Sequence, residues 1–124
     1  MLKKILLSLL LVLSINNAHA QTVVKLEETE IDPNKIYFFA HSMCQECKDT
    51  FIFFNTQHSN LNIPIVDMRH KANFNLYKKC VDKFNIKNAE LRLPLICMGN
   101  NYIMGWNKSD EAKFNQYLQE FQKQ

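Results

Sequence analysis

The sequence predicts an α/β protein built on a central four-stranded mixed sheet flanked by helices. Three observations carry that reading. From residue 35 onward, apolar runs of strand length alternate with stretches of helical periodicity in the order β-α-β-α-β-β-α. A Cys-x-x-Cys, formed by Cys44 and Cys47, stands where the first strand gives way to the first helix. A proline, Pro94, opens the third strand, which turns back through Gly99-Asn100-Asn101.

Each element has its own signal. Asp32-Pro33-Asn34 is a turn, and residues 35–41 then run apolar without alternation, as in a strand buried on both faces. Cys47, Phe51, Phe54 and His58 recur along one stripe of a helix, with Ile52 and Phe53 left over either as an exposed apolar patch or as core packed against the N-terminal extension. Residues 63–68 form a short strand in which Pro64 suits the start or an edge. Phe74, Tyr77, Val81 and Phe84 give a second helical stripe with Cys80 beside it. Residues 91–98 and 102–106 pair as a hairpin. Asn107 or Ser109 caps a last helix whose buried face is Phe114, Tyr117, Leu118 and Phe121. Strand-helix-strand units imply parallel pairing, to which the hairpin adds an antiparallel strand.

The first 20 residues are of a different kind. Lys3 and Lys4 precede an apolar run from Ile5 to Ile15, and Ala18-His19-Ala20 has the small-x-small form cut by a signal peptidase. The run is about half of the roughly 20 residues a membrane span needs. Residues 1–20 are therefore read as a cleaved signal peptide, 21–34 as an N-terminal extension and 35–124 as the folded domain, exported to a periplasm or out of the cell. Val23, Val24 and Leu26 in the extension suit a short edge strand. Removing 20 residues from 124 leaves 104, enough for one modest core. Without Lys3 and Lys4 the net charge falls from +3 to +1, which argues against nucleic acid or a stable association with anionic membranes. A monomer is expected.

All four cysteines lie in the exported part, and an even number in an oxidising compartment allows three disulfide pairings. At a helix start, Cys44 has its sulfur near unpaired backbone N–H groups and the positive end of the helix dipole, both of which stabilise a thiolate. Cys44 is then the nucleophile and Cys47 the residue that resolves a mixed disulfide. Glu46 opposes the Cys44 thiolate, and a protonated His41 would favour it. Cys80 on the second helix and Cys97 in the third strand suit a structural disulfide, worth about 3 kcal/mol by chain entropy. A plain structural Cys44–Cys47 bond is one alternative. Another is a non-catalytic module handling Cu(I), for which Met43, Met98 and Met104 offer soft donors. No second Cys-x-x-Cys or His-x-His offers a zinc partner, and no metal site is assigned.

The element order, Cys44-Gln45-Glu46-Cys47 and Leu93-Pro94-Leu95-Ile96 followed by Gly99, Tyr102-Ile103 and Gly105 resemble the thioredoxin superfamily, most closely its small glutaredoxin-type members, over residues 35–122. The resemblance implies a thioredoxin-like fold and an exported thiol–disulfide oxidoreductase. Pro94 would be cis and face Cys44, and with Leu93 would bind the substrate chain. Partners would be cysteine-containing protein substrates and a redox partner that recycles the pair. Gln45-Glu46 stands where glutaredoxins commonly carry Pro-Tyr, no basic residue precedes Cys44, and Trp106 replaces the second glycine of their usual pair. Ser109-Asp110 can still hold a glutathione carboxylate, but that site is incomplete, so no cofactor is expected.

Overall fold

A computed structural model describes residues 28–124. The signal peptide and the strand expected at Val23, Val24 and Leu26 lie outside the described residues. The elements are β1 (Ile36–Ala40), α1 (Gln45–Gln57), β2 (Ile65–Asp67), α2 (Asn73–Lys83), β3 (Leu95–Met98), β4 (Asn101–Met104) and α3 (Asp110–Gln122). This is the β-α-β-α-β-β-α order, with a short 3-10 turn at Ser59–Leu61 that the sequence did not signal. No helix among the described residues is long and apolar enough to cross a membrane.

The sheet runs β2-β1-β3-β4. β1 pairs parallel with β2, antiparallel with β3, and β3 pairs antiparallel with β4. The parallel β2–β3 neighbourhood implied by the second strand-helix-strand unit does not form. After α2 the chain passes through left-handed turns at Asn85, Asn88 and Leu91 and enters the sheet on the far side of β1. Tyr37-Phe38-Phe39-Ala40 is apolar on both faces, and two flanking strands with helices above and below keep it from water.

Strand alternation sorts the core into two layers. Phe38, Ala40, Ile96, Met98 and Ile103 meet α1 and α3 through Phe53, Phe54, Phe114 and Leu118. Tyr37, Phe39, Leu95 and Cys97 meet α2 through Leu76, Tyr77 and Cys80. Each fully buried phenylalanine contributes about 1.5–3 kcal/mol of apolar transfer. In the first layer, Phe53 and Phe54 pack against Phe114 at ring distances of 5.7 and 4.9 Å.

Two helices present faces other than those expected. In α1 the buried set is Cys47, Thr50, Phe53 and Phe54, while Phe51 is 45% exposed and Ile52 58%. Thr50 tolerates burial because its hydroxyl donates to the Glu46 carbonyl at 2.7 Å, and this turns Phe53 inward against Trp106 and Phe114. The exposed patch is therefore Phe51 and Ile52, not Ile52 and Phe53. In α2, Leu76, Tyr77 and Cys80 face the sheet, leaving Phe74 exposed and Val81 and Phe84 half-buried. In α3, Phe114 and Leu118 are buried as expected, with Tyr117 and Phe121 at the margin. His58 is neither part of the α1 stripe nor a free surface residue. It ends the helix, stacks on Phe53 and Phe114, and bonds Asn115.

The first described residues are tied to the second layer. The Tyr37 hydroxyl donates to the Glu28 carboxylate and accepts the Asp32 N–H at 2.8 Å. Burial, and then the hydrogen bond to Glu28, push this phenol up to about 12.

Candidate redox site

The site forms where β1 ends and α1 begins. His41 closes the strand, and its carbonyl accepts the Cys44 N–H at 3.1 Å while its Nδ1 accepts the Met43 N–H at 3.0 Å. These two bonds turn the chain so that Cys44 takes an extended conformation and becomes the N-cap of α1. The Cys44 Sγ accepts the Cys47 N–H at 3.1 Å, as a serine hydroxyl would in a common cap. Cys44 is half-buried, and Cys47, one turn inside, is 3% exposed. The two are joined as a disulfide with their Cα atoms 5.2 Å apart. On reduction, the N–H aimed at the Cys44 sulfur and the helix dipole favour the thiolate there.

Leu93 and Pro94 enter the same region from β3. The Leu93–Pro94 peptide is cis. Leu93 and Cys44 pack against the same core layer, and Pro94 is fully buried with its carbonyl accepting the Gly105 N–H at 2.8 Å. The buried Tyr77 hydroxyl on α2 donates to the Arg92 carbonyl at 3.0 Å, fixing the segment that leads into Pro94. Burial raises the Tyr77 phenol, so it remains a donor.

Glu46 does not stand free beside Cys44. Its Oε1 accepts the Trp106 backbone N–H at 3.0 Å, which ties the segment between the two cysteines to the end of the hairpin. His41 has its Nδ1 engaged as an acceptor, which places the proton of the neutral ring on Nε2. Trp106 itself is core, its ring packed on Phe53 and Phe54. Met43 is exposed, Met98 is buried in the α1/α3 layer and Met104 packs on the α2 layer, so the three methionines do not converge.

An apolar cleft of about 470 Å³ opens on the other side of Cys47, walled by Phe38, Ala40, Phe51, Ile52 and Ile65. Asp67 and Arg69 form its rim, with the guanidinium 2.6 Å from the carboxylate. Hydrogen bonds from the Arg69 side chain and backbone hold the Asp67 carboxyl well below the usual carboxylate range. Nothing in the spacing of these two residues marked them in the sequence. The links of Glu46 to Trp106 and of Tyr77 to Arg92 were equally hidden, because each joins segments far apart in the chain.

Cys80 and Cys97 lie away from this site, between α2 and β3, at 0% and 1% exposure. They are joined, with Cα atoms 6.5 Å apart.

No protein-family model matches the chain, and no curated protein matches it. Among solved structures, it is similar to a glutaredoxin from Archaeoglobus fulgidus, with a TM-score of 0.51, 15% identity, and coverage of 68% of this chain and 85% of that one. The chain thus has a glutaredoxin-like fold, with a Cys-x-x-Cys pair at the start of its first helix.

Proposed function

We propose that the protein is an exported thiol–disulfide oxidoreductase that exchanges disulfides with cysteine-containing proteins through Cys44 and Cys47. The observation that carries this reading is the asymmetry of the pair: Cys44 is half-exposed with its sulfur on a helix N–H, while Cys47 is buried beneath it. In the reduced protein the Cys44 thiolate attacks one sulfur of a substrate disulfide and expels the other as a thiolate, forming a mixed disulfide. Cys47, deprotonated, then attacks the Cys44 sulfur and releases the second substrate thiolate, leaving Cys44–Cys47 oxidised and the substrate reduced by two electrons. The reverse sequence oxidises a substrate dithiol. Half-buried Leu93, joined by a cis peptide bond to the buried Pro94, supplies the backbone on which a substrate chain rests, and a separate redox partner restores the pair. Export to a periplasm or beyond follows from the signal-like residues 1–20.

Trapping tests this reading. Cys47→Ser is expected to accumulate covalent adducts with proteins from its own compartment, separable on non-reducing gels, and Cys44→Ser to form none. Equal trapping by both variants, or by neither, would overturn it.

A further inference from the structure

The loop between β4 and α3 already holds acidic and amide oxygens on its backbone donors. The Trp106 N–H goes to Glu46 Oε1 at 3.0 Å, the Asn107 N–H to Asp110 Oδ2 at 2.8 Å and the Ser109 N–H to Asn107 Oδ1 at 2.9 Å. Two of these three acceptors are carboxylates, and Asp110 is buried. Gly105 takes the left-handed φ of +76° that turns the chain here, and a Cβ on it would stand at ordinary contact distance, 3.5 Å from Arg92 Nη2 and 3.8 Å from Glu46 Oε1. Arg92 makes no ion pair among the described residues, so it flanks the Glu46 carboxylate without neutralising it by direct contact.

We propose that Glu46, held on the Trp106 N–H between the two cysteines, is a specificity-determining residue that turns the exchange reaction away from acidic disulfides and toward cysteines with neutral or basic surroundings. The inference rests on the exchange reading above and names its substrate class. The physical reasons are two. A carboxylate on an incoming thiol finds the Trp106, Asn107 and Ser109 donors already taken, so none of these backbone N–H groups is free to hold it. It also approaches a fixed negative charge that cannot swing away without leaving the Trp106 N–H unpaired. Glu46 is one residue from Cys47 and two from Cys44, so any group bonded to the Cys44 sulfur passes within its field.

The test uses three disulfides of similar size and different charge: cystamine, 2-hydroxyethyl disulfide and 3,3′-dithiodipropionate. The protein is reduced with dithiothreitol, freed of it, and mixed with each. One disulfide is consumed per protein, two small thiols are released, and Cys44–Cys47 becomes oxidised. Rates are normalised to the neutral probe, which cancels changes in intrinsic thiol reactivity. Glu46→Gln keeps an acceptor for the Trp106 N–H and removes the charge, so the preference for cystamine over dithiodipropionate is expected to shrink about fivefold, as for loss of one nearby surface charge. Glu46→Ala, which also frees the N–H, is expected to shrink it at least as much. The inference is overturned if Glu46→Gln leaves the normalised ratio at the wild-type value, or if the wild-type protein prefers dithiodipropionate, which would make Arg92 the dominant charge. A wild-type protein inert to all three disulfides would instead overturn the exchange reading itself.

Discussion

The two cysteine pairs make the same bond in the same chain and stand in opposite surroundings. Their Cα separations, 5.2 and 6.5 Å, both lie within the ordinary disulfide range, so bonding geometry does not separate them. Access and neighbours do. Cys44 is half-exposed on a helix N–H, while Cys80 and Cys97 are sealed between α2 and β3 among Tyr37, Phe39, Leu76 and Leu95. A thiolate formed inside that apolar layer would have neither water nor a helix N-terminus to stabilise it, which disfavours exchange at this pair. The difference lies in the elements that carry the two pairs: a helix start for one, a helix interior and a buried strand for the other.

Replacing the buried pair gives the largest effect expected from breaking this contrast. Cys80→Ala combined with Cys97→Ala should lower the unfolding free energy by about 3 kcal/mol in urea titration. The Cys47→Ser trapping adducts should still form in that background. A double variant as stable as wild type would remove the structural role of the buried pair, and one that folds but no longer traps would mean that the two pairs are not separate in role.

Tyr37 sharpens the same comparison from the side of the buried pair, since it sits opposite Cys97 in the β1–β3 register. Its phenol is raised to about 12 from the usual 10, so the folded state favours the neutral ring. That contribution is complete below pH 10 and is lost as pH rises through 12. Wild type should therefore lose more stability than Tyr37→Phe between pH 8 and 12, measured by urea unfolding. Parallel curves for the two proteins would show that the phenol is not held neutral by the fold.

The smallest effect belongs to the redox side, at the cleft beside Cys47. Arg69 depresses the Asp67 carboxyl, so the pair's stabilisation is present above the unfolded carboxylate value near 4 and fades as pH falls through the lower folded one. Arg69→Ala should lower the thermal midpoint slightly at pH 7, and the difference from wild type should narrow as pH falls below about 4. An equal loss at both ends of the range would assign Arg69 a packing role instead of a charge role.

Much of this was legible in the sequence. The uninterrupted apolar run of Ile36–Ala40, the proline before β3 and the Gly99-Asn100 turn each act over a few residues, and so does the Cys-x-x-Cys at a helix start. Such signals survive without knowledge of the fold. The helix faces were less legible because α1 carries Phe51, Ile52, Phe53 and Phe54 in a row, and several rotations bury an apolar stripe equally well. Thr50 settled the choice by satisfying its hydroxyl within the helix, and Phe114 and Trp106 settled it by offering Phe53 a place.

The sequence by itself determined the order of elements and the chemistry available at Cys44 and Cys47, because periodicity, turn residues and helix caps are local. Only the tertiary structure decided that β3 lies beside β1 instead of β2, that Glu46 is bound to a backbone N–H 60 residues away, and that one disulfide is open to solvent and the other sealed. Those outcomes depend on which distant surfaces cover one another, and that is set by the packing of the two core layers as a whole.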